Sequence, residues 1–155
     1  MNTEPYVETA RLIAHRAHDG QVDKAGRPYI EHPARVAAEV AALGPRHEAA
    51  AWLHDVVEDT YWSIAHIRAW AADQGTPMPW EVMLAVEALT KRREETYLDA
   101  VRRASVNPLA RSVKLADNLD NSAEERLALL DQGTADRLRK KYQRARAILT
   151  PTRGD

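Results

Sequence analysis

The chain has 155 residues, 45% of them hydrophobic and 29% charged, which suits a globular domain with a real core rather than a disordered chain. A formal net charge of −1 gives no general attraction to nucleic acid or an anionic membrane, so phosphate must be met by a few local lysines and arginines. The absence of cysteine rules out disulfides and thiolate metal sites and fits a reducing cytosol.

The first residues, "MNTEPYVETA", lack the basic and apolar regions of a signal peptide, and no apolar run is long enough for a bilayer. A soluble, cytoplasmic protein with no membrane or nucleic-acid partner is therefore expected. Alanine, leucine, arginine and glutamate dominate, and β-branched alternation never persists, so helices are expected throughout. The first runs from Pro5 to Ala17. "HDGQVDKAGRPY" follows as a loop, punctuated by Gly20, Gly26 and Pro28. "EHPARVAAEVAAL" is a helix that tolerates Pro33 in its first turn and ends at Gly44-Pro45. A third helix is predicted from Arg46 to about Glu58. Ser63 caps a fourth, "IAHIRAWAAD", which stops at Gly75. Further helices are expected over Trp80–Leu89 and Thr96–Ser105, with the polar "TKRREE" between them. Asn107-Pro108 starts a helix carrying "LARSVKLADNLDN". A last one covers about Thr134–Leu149, before a frayed "TPTRGD" tail. The expectation is an all-α bundle of about seven to nine helices, one domain over residues 1–155 with its core at about 6–149.

The stretch "AAWLHDVVEDT", Ala50–Thr60, sets one histidine and three acids among residues otherwise suited to burial. On an unbroken helix His54 lies above Glu58 and Asp55 above Asp59. Like charges at that spacing repel by a few tenths of a kcal/mol per pair, roughly, and a divalent cation would reverse the sign. A solvated acidic edge explains the same stretch equally well. His32, in "YIEHP", and Asp117 with Asn121 four residues on, in "VKLADNLDN", supply a second imidazole and a second acidic face. Two neutral imidazoles and two carboxylates suit manganese, iron, cobalt, nickel or zinc, whereas calcium prefers oxygen alone. A cation so held lowers the pKa of water and readies it for attack on phosphorus.

"HDGQVDKAGRPYIEHP", "AAWLHDVVEDT", "ALTKR" and "VKLADNLDN", in this order and spacing, resemble the HD-domain metal phosphohydrolases. More narrowly they resemble the hydrolase domain of the RelA/SpoT family and its small stand-alone relatives, over roughly Tyr6 to Leu149. No synthetase or regulatory region is expected. The resemblance implies an HD-domain helical bundle in which His32, His54, Asp55 and Asp117 hold one divalent ion, usually manganese. It implies that Glu58 and Asp59 orient or activate the attacking water, that Lys24 meets substrate phosphate, and that Asn121 contacts the nucleotide near its sugar. The implied reaction removes pyrophosphate from the 3′ position of guanosine tetra- or pentaphosphate, leaving GDP or GTP. Two departures from the pattern bear on the base. Asp23 stands where an arginine usually precedes the lysine, and Asn118 where an arginine or lysine often follows the aspartate. An aspartate cannot stack as a cation on a purine. The adenosine counterpart of the alarmone, the 2′-phosphate of NADPH, or silent nucleotide binding are the alternatives.

Other chemistry-bearing residues have plainer readings. His15, His18, His47 and His66 are taken as surface or satisfied histidines. Lys91, Arg92 and Arg93 read as a solvated run or as phosphate contacts, and Lys114 as an ion-pair partner or a site residue. Trp52, Trp62, Trp70 and Trp80 are expected in helix packing, and "RLRKKYQRARAIL" as a helix docked on the domain.

Overall fold

The alanine run that ends in Trp52-Leu53 becomes the centre of the bundle. The computed structural model describes residues 4–150, so the tail predicted to fray lies, except for Thr150, outside the described residues. Its helices are α1 (Pro5–Ala17), α2 (Glu31–Val40, extended by a 3₁₀ turn over Ala41–Leu43), α3 (Pro45–Leu53), α4 (Val56–Asp59), α5 (Ile64–Asp73), α6 (Trp80–Leu89), α7 (Tyr97–Ser105), α8 (Pro108–Asn121), α9 (Glu124–Leu127) and α10 (Gln132–Leu149). Eight of these are full helices, as the composition predicted, and α4 and α9 are single turns. Among the described residues there is no strand, only an isolated bridge of Val22 with Pro28 that closes the loop before α2.

α3 is buried over Ala49–Leu53 and packs against α1, α2, α6 and α8. Its alanines let four helices approach closely, because interaxial distance follows side-chain size at the contact. Ile13, Val36, Val82, Val86 and Val113 fill the remaining space without exposure. The predicted caps are real: Ser63 Oγ accepts from the His66 N–H at 3.0 Å, and Asn107 Oδ1 from the Ala110 N–H at 3.0 Å. α10 docks on α7 and α8, with Ala145 and Leu149 inward. Among the described residues no helix is long and apolar enough to cross a membrane.

Two expectations need correction. The third helix does not run unbroken to Glu58. It ends at Leu53, and Asp55 takes φ −106°, ψ −2°, before α4 begins. The Ala51 carbonyl accepts from both the backbone N–H (3.4 Å) and the ring Nδ1–H (2.6 Å) of His54, which tightens the last turn. His54 therefore does not stack over Glu58, whereas Asp55 keeps to the same side as Asp59: its carbonyl accepts the Asp59 N–H at 3.0 Å, and both carboxylates lie at Tyr29 Oη. Trp80 is not a packing residue either. It opens α6 just after Pro79, where the residue is 69% exposed. Trp52 is buried as expected, and Trp62 stacks on the His66 ring at 4.0 Å.

Candidate metal centre

The break after Leu53 lets His54 and Asp55 converge. His32 enters from the first turn of α2 and Asp117 from the middle of α8, both buried, and these two helices pack on each other and on α3. One ligand atom from each of His32, His54, Asp55 and Asp117 falls within 4.8 Å of the others. The residues implied as ligands are thus brought together from three places in the chain.

The donor chemistry suits a divalent ion. His54 gives its Nδ1–H to the Ala51 carbonyl, so Nε2 carries the lone pair. That nitrogen is buried, 3.0 Å from Asp55 Oδ2 and 3.3 Å from Asp117 Oδ1, yet makes no hydrogen bond. A lone pair facing two carboxylate oxygens is repulsive unless a proton or a metal ion lies between them. His32 is arranged alike. Its Nδ1–H donates to Asp120 Oδ2 at 2.6 Å, and its Nε2 lies 2.8 Å from Asp117 Oδ1. A carboxylate behind a ligating imidazole fixes its tautomer and raises its basicity. Asp120 is held in turn by Arg35 (2.8 Å) and Arg126 (2.7 Å).

The electrostatics agree. Burial alone would lower the imidazole pKa values, but Asp55 and Asp117 raise that of His54 well above its usual value, and Asp117 with Asp120 raises that of His32. Burial alone would raise the two ligand carboxyls. Instead His54 holds Asp55 low, and Lys114 with the two histidines holds Asp117 low. Lys114 Nζ lies 2.9 Å from Asp117 Oδ2, so the ion-pair reading of that lysine is the one realised. A raised histidine pKa stabilises the ion-free fold fully below about 6.5 and ceases to do so as pH rises through the folded value. A metal must displace those protons. The rise in Tm on adding manganese should therefore be larger at pH 8 than at pH 6, readable by thermal denaturation at fixed metal. An equal shift at both would count against proton competition.

Several residues at the centre went unread in the sequence. Tyr29 Oη donates to Asp55 Oδ2 at 2.5 Å and lies 3.4 Å from Asp59 Oδ2. His18, expected to be an ordinary satisfied histidine, is buried against the Tyr29 ring, with Nδ1 2.8 Å from Gln21 Oε1 and Nε2 without a partner. It props the tyrosine. Asp120 was findable from its place one turn after Asp117 on α8. Asp120→Asn should weaken metal binding by about 10–100-fold without unfolding the protein, as measured by metal titration; unchanged affinity would remove its role.

Glu58 and Asp59 stand on α4 at the exposed edge of the centre. Glu58 Oε1 accepts the Lys91 backbone N–H at 2.7 Å. Partial burial, with Asp55 and Glu58 beside it, pushes the Asp59 carboxyl up to about 6. Asn121 Nδ2 donates to Asp117 Oδ1 at 3.0 Å, so it braces a ligand, and it also faces a cavity of about 510 Å³. Tyr29, Asp120 and Asn121, each touching one of the four candidate ligands, share that cavity wall with Lys24, Asp23 and Tyr142. Asn118 faces elsewhere: buried, it donates to the Tyr142 carbonyl at 2.9 Å and ties α8 to α10.

A helical bundle with a mixed imidazole–carboxylate centre beside a nucleotide-sized cavity defines the class. The chain belongs to the HD domain family, whose model matches residues 29–122. It is 34% identical over 126 residues to a GTP pyrophosphokinase of Streptomyces coelicolor, covering 74% of this chain and 14% of that protein. It is 33% identical over 125 residues to the guanosine-3′,5′-bis(diphosphate) 3′-pyrophosphohydrolase of Aquifex aeolicus, covering 74% of this chain and 17% of that one. The chain thus spans a small part of the length of both. A solved structure described as "A metazoan ortholog of SpoT hydrolyzes ppGpp and plays a role in starvation responses" aligns with a TM-score of 0.76, at 22% identity, over 99% of this chain and 89% of that one. That likeness shows the fold.

Proposed function

We propose that the protein is a metal-dependent phosphohydrolase of a phosphorylated purine nucleotide, removing pyrophosphate from the 3′ position of guanosine 3′,5′-bis(diphosphate)-type alarmones. The observation that carries the reading is the meeting of His32, His54, Asp55 and Asp117 around one point, with the His54 lone pair aimed at two carboxylates. A divalent ion, manganese by family likeness, would supply Lewis acidity and lower the pKa of water there. The names of the relatives support the substrate class.

Each residue has a task in this reading. The four ligands hold the ion, and Asp120 with Arg35 and Arg126 keeps the His32 ring aligned. Lys24, exposed at the cavity edge, meets phosphate. Glu58 and Asp59 orient the attacking water and move its proton, and an Asp59 carboxyl near 6 can both give and take one at neutral pH. Asn121 faces the sugar while bracing Asp117.

A second reading, hydrolysis of a different nucleotide, is favoured by Asp23. Its Oδ1 accepts from the Ala25 (2.8 Å) and Arg27 (3.0 Å) N–H groups, so this aspartate shapes its own turn, and its Oδ2 lies 3.8 Å from Arg126. Position 23 therefore supplies no guanidinium of its own to stack on a base, and the arginines of the cavity wall are Arg27, Arg35 and Arg126. The deciding experiment incubates the manganese-loaded protein with guanosine and adenosine 3′-pyrophosphates, NADPH and simple nucleoside monophosphates. Pyrophosphate release from the guanosine compound supports the first reading. Orthophosphate from NADPH, or turnover of the adenosine compound alone, replaces it with the second. No turnover by metal-loaded protein defeats both in favour of a silent nucleotide-binding domain.

A further inference from the structure

Glu58 projects from a single helical turn, and its flexible side chain has rotational freedom that its surroundings must remove. The restraint comes from 33 residues away, where the Lys91 N–H donates to Glu58 Oε1 at 2.7 Å. Lys91 lies in the segment between α6 and α7, which no helix or strand secures. A single guanidinium secures it. Arg103, on α7, donates from Nη2 to the Thr90 carbonyl (2.7 Å) and from Nη1 to the Glu87 carbonyl (3.2 Å). Through Nε and Nη2 it also holds both Glu95 oxygens at 2.8 Å. Glu95 Oε1 in turn accepts the Arg92 N–H at 2.7 Å. The chain is therefore pinned on both sides of Lys91. With side chains 20% and 16% exposed, the Arg103–Glu95 pair is sheltered and bidentate, unlike an ordinary surface ion pair.

We propose that Arg103, together with Glu95, is a positioning residue for Glu58, holding the Lys91 N–H where it fixes the Glu58 carboxylate. The inference rests on the reading in which Glu58 acts on the attacking water. Arginine is required because a lysine ammonium cannot span two carbonyls and a carboxylate in one plane. Loosening the segment leaves all four metal ligands in place, so the cost falls on the chemical step rather than on metal or substrate binding.

The test uses Arg103→Met, Glu95→Gln and Glu58→Gln in the full chain with manganese bound. Hydrogen exchange at the Lys91 amide, followed by NMR, needs no turnover. It should quicken by about tenfold or more in the Arg103 and Glu95 variants. In both, kcat should fall about tenfold or more, with KM within about threefold and metal content unchanged. Placed on Glu58→Gln, Arg103→Met should cost less than about twofold further, because the two act as one unit. Glu95→Gln carries the test if Arg103→Met does not fold. Unaltered Lys91 exchange, a change confined to KM, or a full additional loss on Glu58→Gln overturns the clamp and leaves the functional reading standing. Full activity of Glu58→Gln overturns the clamp together with the role assigned to Glu58, and leaves the hydrolase reading standing with Asp59 as its acid or base.

Discussion

Asp117→Ala should yield protein that no longer retains manganese, shows no detectable hydrolysis, and unfolds at a lower temperature even before metal is considered. The reason is the number of groups that one carboxylate serves. Its Oδ1 faces His32 Nε2 (2.8 Å), His54 Nε2 (3.3 Å) and Asn121 Nδ2 (3.0 Å), and its Oδ2 faces Lys114 (2.9 Å). Truncation strands a lysine whose side chain is only 19% exposed, alongside two raised imidazoles. Breaking one side of such a buried pair costs about 3 kcal/mol, equivalent to roughly 6–12 °C in a chain of this size. Lost metal removes a further contribution, about 2.7 kcal/mol when the ion is at a hundredfold its dissociation constant. Thermal denaturation with and without manganese, together with metal analysis, separates the two. A variant that kept stoichiometric metal would take Asp117 out of the ligand set, and with it the geometry on which the function is proposed.

Glu58→Gln should behave in the opposite way: metal bound, Tm nearly unchanged, and kcat reduced by about 10²–10⁴-fold, the usual range for a proton-transfer group. Glutamine keeps an oxygen that can accept the Lys91 N–H, so the change isolates the proton chemistry from the position of the side chain. KM should move little, since no substrate binding is assigned to this residue. Wild-type turnover in the variant would remove Glu58 from the reaction and leave Asp59 as the remaining acid or base near the centre. The two substitutions make a contrast: one takes away the ion, the other should leave it in place.

Much of this was legible in the residues alone. Ser63 and Asn107 announced their helices because a side-chain oxygen next to an unsatisfied N–H is a local matter. The four candidate ligand positions were legible because their types and spacing resemble a known pattern. The break after Leu53 was not, since no glycine or proline marks it and it depends on the His54 ring competing for the Ala51 carbonyl. The role of Asp120 is not legible in the residues, because its partner, His32, lies 88 residues away. Tyr29 and His18 read as loop residues, and only the contact of Tyr29 with Asp55 and His32, and of His18 with Tyr29, turns them inward.

By itself, then, the order of amino acids determined where helices begin and end, which faces are apolar, and which side chains are capable of holding a cation. These follow from spacing within a few residues, where 3.6-residue periodicity and capping operate. Tertiary structure alone decided which nitrogen of each imidazole faces the centre, that Asp120 and Tyr29 brace it, and that Arg103 secures the segment reaching Glu58. Those outcomes depend on partners distant in the chain, and only the packing of α2, α3 and α8 at the centre, and of α6 with α7 beside it, determines which of them come within hydrogen-bond reach.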